Sequence, residues 1–429
     1  MANTLKFGNG TWATKKGSTL AYNDENNNYK PLPFTTTRDS IATRVNKEGL
    51  IEVVGNNVPR IDYKDSTEGA LLLENSSTNL VTYSEDFSNA YWTKSGSSVT
   101  SGFISPDGTA NAFKLIEDTS VGEHSISASP LVGVSDLTTS IFVKYAGSEY
   151  IVLRSNSSGG AYLNCTFNLL TGVNTFNGFL FDFEITSMAD GWFRISGTNR
   201  SSASAFRVNS FILSPTDVTN NSTPSHTGDG TSGVYIYGAQ IEAESYPTSY
   251  IPTNGSSVTR LADTANGSGN SEVFNDSEGV LFANISALDD DGTSRYIAVS
   301  DGSNNERVQI IYSSVSDNIA MSIVSSNSSQ ASITAIGSQI QYSKLAIKYK
   351  VNDCSFWFNG FKIHTDTSAI MPSGLDVLEY QRPNNTSQFY GKTKELGYYD
   401  TALTDEELEY LTSYRSLSEL VTELNLNTL

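Results

Sequence analysis

The segment "TTSIFVKYAG" at residues 138–147, followed by "YIVLRSN" at 150–156, decides the fold class. Both stretches are rich in β-branched and aromatic residues and are bounded by Gly, Ser and Asn, which is typical of short antiparallel strands. The same pattern recurs in "WFRISGTN" and "GVYIYGAQIEA" further along the chain. Regularly spaced short strands of this kind predict an antiparallel β-sandwich over residues 81–252.

A second series of strands follows a break in the pattern. Residues 253–272 are rich in Gly, Ser and Asn and predict a linker. Residues 273–403 then repeat the strand pattern, for example in "EGVLFANIS", "ERVQIIYSS" and "KLAIKYKVND". The sequence therefore predicts an all-β chain with two antiparallel β-sandwiches in tandem.

Short helices are predicted at the end of the chain, over residues 404–429. Thr404 with Glu407, and Ser416 with Glu419, have the spacing of a capping box, in which each side chain satisfies the other residue's backbone N–H. The leucine spacing does not hold a heptad, which favours two short helices over a coiled coil.

Residues 1–80 are irregular, with short strand-like pieces such as "LIEVV" interrupted by Gly, Asn and Pro. No hydrophobic periodicity here builds a core of its own. Such a segment either buries its apolar residues on a partner or on its own copies, or packs as a small subdomain on the next domain. Both interpretations stay open at this point.

Composition excludes several classes of protein. The chain has 429 residues and a formal charge of -19, so it repels phosphate backbones and nucleic-acid binding is not expected. Neither a signal peptide nor a membrane-spanning apolar run is visible, which indicates synthesis in a cytoplasm without export by the usual signal. Cys165 and Cys354 are far apart and predict two buried free thiols rather than a disulfide. The three histidines lack the spacing of zinc ligands.

Two stretches carry a resemblance to a known family. The first is "RDSIATRVNKEGLIEVVGNNVPRIDY" with "GALLLENSSTNLVTYSEDFSNAYW", and the second is "GVYIYGAQIEAESYPTSYIPTNGSSVTRLAD". They resemble the N-terminal part and the carbohydrate-binding-module-like jelly roll of bacteriophage virion fibre and spike proteins, including phage head spike fibres. Together they bracket residues 38–263.

This resemblance implies a virion surface protein, a head or tail fibre or spike, assembled in the host cytoplasm. Residues 1–80 would be an anchoring segment that contacts other virion proteins, with Arg38, Arg44, Arg60 and Asp62 as its attachment residues. The sandwiches would face host surface polysaccharide. Such fibres are usually homotrimers.

A third stretch, "SFWFNGFKIHTD" followed by "ELGYYDTALTDEELEYL", resembles the closing strands and helix of concanavalin-A-like and laminin-G-like lectin domains. That ending is shared by proteins with unrelated ligands, so it supports the fold more than the function. It implies a lectin-like second sandwich.

Sugar binding needs an exposed aromatic face and polar groups for the hydroxyls. Tyr91 and Trp92 follow a polar turn, and Trp192 and Trp357 lie in strand-like stretches, so these four are the candidate glycan-binding residues. The alternative for each tryptophan is a place in a core, because alternation buries one side of every strand.

The turn "SPDGTANAFKL" at residues 105–115 contains Asp107. Jelly rolls often hold a structural calcium at such a turn, so Asp107 is a candidate calcium ligand and an ordinary turn is the alternative. No cofactor is otherwise expected.

No catalytic residues are predicted. The histidines have no nucleophile–base surroundings, and no "GxSxG" or phosphate-loop motif occurs. The function that the resemblance implies is host attachment through surface glycans, and no catalysis is expected. Two alternatives are a purely structural decoration or adaptor protein, which predicts core-facing tryptophans, and a polysaccharide depolymerase, which predicts a groove with paired carboxylates.

Overall fold

A computed structural model describes residues 4–20, 32–128, 136–156, 162–178, 181–200 and 209–423. The predicted all-β fold is confirmed: 51% of the described residues are in strands and 4% are in helices. The chain forms two compact units. Unit 1 comprises Met1–Ser40, Gly55–Asn75 and Ala262–Leu429, and unit 2 comprises Ile41–Val54 and Ser76–Leu261.

Unit 2 is a sandwich of two six-stranded antiparallel sheets. The first has the order β10-β14-β21-β16-β17-β18 and the second the order β11-β12-β23-β15-β20-β19. The strands of the first sheet are β10 (Thr93–Ser95), β14 (Ser125–Ala128), β16 (Tyr150–Asn156), β17 (Tyr162–Asn168), β18 (Val173–Asn177) and β21 (Asn209–Ser214). Those of the second are β11 (Ser97–Phe103), β12 (Ala112–Glu117), β15 (Asp136–Tyr145), β19 (Phe181–Ser187), β20 (Phe193–Arg200) and β23 (Gly233–Glu242).

Alternation along these strands builds the core of unit 2. Ile141 and Val143 of β15 face Ile151 and Leu153 of β16 across a shared apolar cluster. Phe142, between them in sequence, points to the opposite face, as the pleat requires. Unit 2 also contains three two-stranded pairs: β5 (Ala42–Val45) with β6 (Ile51–Val54), β9 (Ser77–Asn79) with β24 (Val258–Arg260), and β13 (Val121–Gly122) with β22 (His226–Thr227).

Unit 1 contains an eight-stranded, a five-stranded and a four-stranded sheet. In the eight-stranded sheet the order is β33-β32-β31-β26-β35-β8-β7, with β1 also paired to β35. Its strands are β1 (Thr4–Gly8), β7 (Arg60–Asp62), β8 (Ala70–Leu73), β26 (Glu278–Ala287), β31 (Ser343–Lys350), β32 (Cys354–Phe358), β33 (Phe361–Asp366) and β35 (Gly391–Tyr399).

The other two sheets of unit 1 are smaller. The five-stranded sheet has the order β30-β29-β28-β27-β34, and the four-stranded sheet has the order β2-β3-β4-β25. The strands are β27 (Arg295–Ser300), β28 (Arg307–Tyr312), β29 (Asn318–Ser325), β30 (Ser328–Ile336) and β34 (Val377–Glu379), then β2 (Ala13–Lys15), β3 (Ser18–Leu20), β4 (Phe34–Thr37) and β25 (Thr264–Asn266).

The N-terminal residues do not form the separate segment expected for residues 1–80. β1 pairs with β35 along its whole length, and β8 extends the same sheet on β35. Leu5, Phe34 and Leu71 are buried in the core of unit 1, while β5 and β6 belong to unit 2. These strands are too short to bury their apolar side chains alone, so they complete a sheet built by residues far away in sequence.

The predicted linker at 253–272 also differs from the structure. Val258–Arg260 pairs with β9 in unit 2, and Thr264–Asn266 pairs with β4 in unit 1. Gly, Ser and Asn reduce the strand signal of this stretch, but two three-residue strands form because each has a partner.

Both helix predictions are confirmed for the described residues. α1 spans Asp405–Thr412, and Thr404 and Glu407 form the predicted capping box. α2 spans Leu417–Glu423, and the Ser416 hydroxyl accepts from the Glu419 N–H at 3.0 Å. Residues 424–429, which were included in the prediction, lie outside the described residues. None of the helices in the described ranges combines the length and the apolar content needed to cross a membrane.

The two cysteines are buried free thiols, as predicted. Burial raises the pKa of the Cys165 thiol to about 12, and burial likewise raises the pKa of the Cys354 thiol. Since the thiolate is the reactive form, neither side chain is activated as a nucleophile.

Candidate functional site

The three tryptophans proposed as sugar platforms are core residues in this structure. Trp92 is 2% exposed, Trp192 is 1% exposed and Trp357 is 4% exposed. The Trp92 indole N–H donates to the Tyr83 carbonyl at 2.9 Å, and that of Trp357 donates to the Ser355 hydroxyl at 3.0 Å. No ring face is left open to a sugar, because each ring fills the apolar side of its strand or loop.

Tyr91 is half-buried beside Trp92. The two rings meet edge to face with centroids 5.5 Å apart, and burial raises the pKa of the Tyr91 hydroxyl. Part of this ring therefore supports the core, and Tyr91 packs on the edge of Trp92 instead of forming an open platform with it.

Of the four predicted attachment residues, Arg38 and Arg60 lie in a buried ion network of unit 1. The Arg38 Nη1 atom is 2.9 Å from the Asp263 Oδ1 atom, and the Arg60 Nη1 atom is 2.5 Å from the Glu74 Oε2 atom. The second Asp263 oxygen accepts from Arg60, so one carboxylate joins both arginines. Burial would lower the pKa of Arg60, but the charges of Asp263 and Glu74 outweigh it and raise that pKa. These arginines hold unit 1 together and are not available to a surface partner.

The other two attachment residues have different surroundings. Asp62 is buried, with one carboxylate oxygen 3.4 Å from the Lys392 Nζ atom. Arg44 lies in the β5–β6 hairpin, where its Nε atom is 2.9 Å from the Glu52 Oε2 atom and both side chains reach solvent. The four residues are thus divided between two units and do not form one attachment patch.

Asp107 caps its own turn and also belongs to a small cluster of oxygen atoms. Its Oδ1 atom accepts from the Thr109 N–H at 2.7 Å, and its Oδ2 atom lies 3.1 Å from the Tyr237 hydroxyl. The same hydroxyl lies 3.0 Å from the Glu85 Oε1 atom, although a single hydroxyl hydrogen serves only one acceptor. The Asn111 Oδ1 atom is buried without a hydrogen-bond partner.

This cluster places oxygen ligands of the type preferred by Ca²⁺ close together: Glu85, Asp107 and Asn111. Burial and the charges of Glu85 and Asp107 raise the pKa of Tyr237, so the hydroxyl stays protonated between the two carboxylates. Within the described residues, no three His, Cys, Asp or Glu side chains gather as a metal-binding group. A cation here would therefore need the amide oxygen of Asn111 as well.

A polar surface that the sequence reasoning missed lies on the five-stranded sheet of unit 1. Alternation sends Ile297, Val308 and Ile310 into the core, and it turns Tyr296 and Gln309 to the other side. We call this surface the polar face. Its partly exposed members are Tyr296, Asn304, Glu379 and Arg382, and its buried members are Arg307, Gln309, Ser322 and Gln381.

The strand register sets the floor of the polar face. Gln309 pairs with Ala298 on one side and with Ser322 on the other, and Arg307 pairs with Ser300. The Arg307 Nε atom donates to the Gln309 Oε1 atom at 2.9 Å, and the Gln309 amide donates to the Ser322 hydroxyl at 2.9 Å. Gln309 therefore fixes the orientation of both Arg307 on its own strand and Ser322 on the next strand.

The segment after β34 supplies one rim of the polar face. The Gln381 amide donates to the Glu379 Oε1 atom at 3.0 Å and to the Asn385 Oδ1 atom at 2.8 Å. Burial raises the pKa of Glu379, and the hydrogen bond from Gln381 offsets part of that rise. A backbone turn, with the Arg382 N–H donating to the Thr386 carbonyl at 3.0 Å, fixes this segment.

Arg382 crosses from this rim to the aromatic member of the polar face. Its guanidinium lies over the Tyr296 ring, 5.7 Å from the centroid, and its Nε atom donates to the Asn304 Oδ1 atom at 3.2 Å. Tyr296, Asn304 and Arg382 are all partly exposed. A partly exposed aromatic ring thus lies beside a guanidinium group that the amide of Asn304 holds in place.

One sequence signal could have located this face. In "RYIAVS" and "ERVQIIY" the polar positions of the alternation hold Arg, Tyr and Gln, whereas most strands of this chain use Ser, Thr or Asn there. Long amide and guanidinium side chains on one side of adjacent strands suit recognition more than solubility. The contribution of Arg382 and Asn304 depends on loops and has no local signal.

Comparisons with known proteins show limited similarity. No protein-family model matches the chain, and no curated protein matches it. One similar solved structure is the CBM40 domain of a Ruminococcus gnavus IT-sialidase bound to α2,3-sialyllactose. It is 15% identical, with a TM-score of 0.29, over 34% of this chain and 94% of that one. Another is domains LG4-5 of the mouse laminin α1 chain, 8% identical with a TM-score of 0.14, over 83% of this chain and 88% of that one. Similarities this low assign neither family nor ligand, so function has to be inferred from the chain's own residues.

Proposed function

We propose that this protein is a non-catalytic glycan-binding protein and that the polar face of unit 1 is its binding surface. The observation that carries this proposal is the partly exposed Tyr296 ring beside the guanidinium of Arg382, which the amide of Asn304 holds in place. A sugar ring stacks its C–H side on an aromatic face, and amide and guanidinium groups bind its hydroxyls. Gln309 and Arg307 are held by each other, so little side-chain entropy would be lost on binding.

We further propose that the protein is a bacteriophage virion fibre or spike, assembled in the host cytoplasm and displayed on the particle surface as a homotrimer. The resemblance of residues 38–263 to virion fibre and spike proteins supports this role. Several copies on one particle would convert weak binding per site into firm attachment to host polysaccharide. Other virion proteins would be its remaining partners.

Two alternatives remain distinguishable by experiment. The buried tryptophans agree with a purely structural decoration or adaptor protein. Glu85 and Asp107, which share the Tyr237 hydroxyl, are a pair of close carboxylates of the kind a depolymerase needs. The polar face favours glycan binding over the structural role and over the depolymerase. Neither of those functions requires an aromatic ring beside fixed amide and guanidinium groups.

Replacing Tyr296 or Asn304 by alanine should weaken glycan binding about tenfold each, corresponding to roughly 1.4 kcal/mol of lost stacking or hydrogen bonding. The measurement is glycan-array binding of the full chain, followed by calorimetry with the best oligosaccharide and analysis of that oligosaccharide for cleavage. Tyr410→Ala is the matched control, because Tyr410 is also an exposed tyrosine of unit 1 but lies on α1.

Three results would count against the proposal. Equal loss in the Tyr410 control would show a non-specific effect, and unchanged binding in both test variants would place the site elsewhere. Release of shorter oligosaccharides would show an enzyme.

We also propose a structural calcium ion in unit 2, held by Glu85, Asp107 and Asn111. An ion bound a hundredfold above its dissociation constant stabilises the folded state by about 2.7 kcal/mol. Calcium should therefore raise the melting temperature of unit 2 by about 5–10 °C over the value in EDTA. The Glu85→Gln variant should lose this response, and Asp229→Asn, which alters a carboxylate in another turn of unit 2, should keep it. Identical melting in calcium and EDTA would refute the ion.

A further inference from the structure

Two arginines of the polar face stand next to each other without a carboxylate partner. Arg307 and Arg382 make no ion pair with any described residue. Four other buried arginines do have such partners: Arg38 with Asp263, Arg60 with Glu74, Arg154 with Glu123 and Arg295 with Asp291. An unpaired pair of cations is unexpected in a chain whose formal charge is -19.

The two side chains meet at the turn that precedes β28, because Arg382 donates to Asn304 and Asn304 lies three residues before Arg307. Burial lowers the pKa of Arg307, and the positive charge of Arg382 lowers it further. Arg307 is only 8% exposed, and its Nη1 atom is buried without a hydrogen-bond partner. A desolvated cation beside a second cation costs free energy, and this cost would be removed by an anion bound between them.

Donor atoms remain for such an anion. The Nε atom of Arg307 is used by Gln309, and that of Arg382 is used by Asn304. The Nη2 atom of Arg307 and both Nη atoms of Arg382 make no hydrogen bond with described residues, and none of the three is a buried atom. Guanidinium forks of this kind match the planar geometry of a carboxylate.

The nearby carboxylates are engaged elsewhere. Asp301 accepts from the N–H and the hydroxyl of Ser303, at 2.8 and 3.0 Å. Glu306 accepts from the N–H groups of Ser326 and Ser373, at 2.7 and 3.0 Å. Glu379 accepts from Gln381. The charge of Asp301 opposes part of the fall in the pKa of Arg307, but none of these acidic groups forms an ion pair with either arginine.

We propose that the polar face selects sugars that carry a carboxylate, such as uronic acids, and that Arg307 and Arg382 bind this group while Tyr296 stacks on the sugar ring. This inference rests on the glycan-binding function proposed above and narrows it to acidic glycans. The overall negative charge of the chain does not prevent binding, because at physiological salt charges beyond about 8 Å are largely screened. A sulfate or phosphate ester offers the same charge in a tetrahedral group, and the test separates the two chemistries.

The test uses the full chain and two forms of one oligosaccharide, a uronic-acid oligomer and the same oligomer with its carboxylates reduced to alcohols. We expect the acidic form to bind at least about tenfold more tightly, with a preference that falls as salt is raised. Arg382→Gln should remove this preference, so that the dissociation constants of the acidic and the reduced form become about equal. Arg382 is partly exposed, so this variant keeps the fold, which its melting temperature would check. Arg307→Gln should have the same effect on the preference.

Arg44→Gln in the β5–β6 hairpin is the control and should retain the full preference. Equal binding of both forms, with loss in Tyr296→Ala, would overturn the acidic selectivity while the glycan-binding function stands. Binding of neither form would overturn both proposals. Tighter binding of a sulfated oligomer, or competition by millimolar inorganic phosphate, would overturn the assignment to a carboxylate and identify a tetrahedral anion instead.

Discussion

Replacing Asp263 by asparagine should destabilise unit 1 by about 3–5 kcal/mol, the usual cost of removing one partner from a buried ion pair. The Asp263 carboxylate joins Arg38 to Arg60, and both guanidinium groups are at most 1% exposed. Without its charge, Glu74 alone would face two buried cations, and neither arginine can move into solvent. The effect should be large because the network connects β7, the end of β8 and the start of β25.

The measurement is urea denaturation or calorimetry of the full chain, with the transition of unit 1 lowered by about 6–20 °C. The matched control is Glu52→Gln, which removes a carboxylate from the surface pair with Arg44 and should cost at most about 1 kcal/mol. A change below that limit for Asp263→Asn would mean that the buried network does not stabilise the unit.

Replacing Trp92 by alanine should destabilise unit 2 by about 3–5 kcal/mol, as for other large aromatics removed from a core. The ring packs on Phe87 with centroids 4.9 Å apart and on Phe211 at 6.4 Å, and its N–H satisfies the Tyr83 carbonyl. Alanine would leave a cavity between these rings and one unpaired carbonyl. Binding of glycan by the polar face, in the other unit, should stay unchanged wherever the variant is folded.

Calorimetry of the full chain measures the loss of stability. Glycan titration below the melting temperature of the variant measures whether binding is unchanged. Tyr145→Ala provides the comparison, since Tyr145 is an exposed aromatic of the same unit and its loss should cost about 0.5 kcal/mol or less. If Trp92→Ala instead kept its stability and lost glycan binding, the ring would be a sugar platform despite its burial.

The positions of the main strands and the start of helix α1 could be predicted from the sequence alone. β15, β16 and β23 lie where the apolar–polar pattern predicts strands, because pleat alternation is a property of each strand by itself. The capping box of Thr404 and Glu407 is equally local, since both partners lie within one helical turn. These signals need no knowledge of the rest of the chain.

The place of the N-terminal residues was decided only by the tertiary structure. Phe7 pairs with Leu396 and Arg60 pairs with Leu72, which itself pairs with Lys392. Residues almost four hundred positions apart share one sheet, and the residues of β1 do not by themselves indicate that β35 is its partner. Edge strands accept a partner by backbone hydrogen bonding, which carries little sequence information.

The same distinction separates the predicted sites from the observed polar face. The sequence shows that Trp92 and Trp192 lie near turns. Whether each ring is buried depends on the side chains that pack over it, which the sequence does not show. Arg307, Asn304 and Arg382 come from a strand, a turn and a loop that register and chain reversal bring together. Sequence alone determined an acidic all-β chain with two sandwiches and short capped helices. Tertiary structure alone decided which polar residues meet, because their proximity arises from strand pairing over long range and not from neighbouring residues.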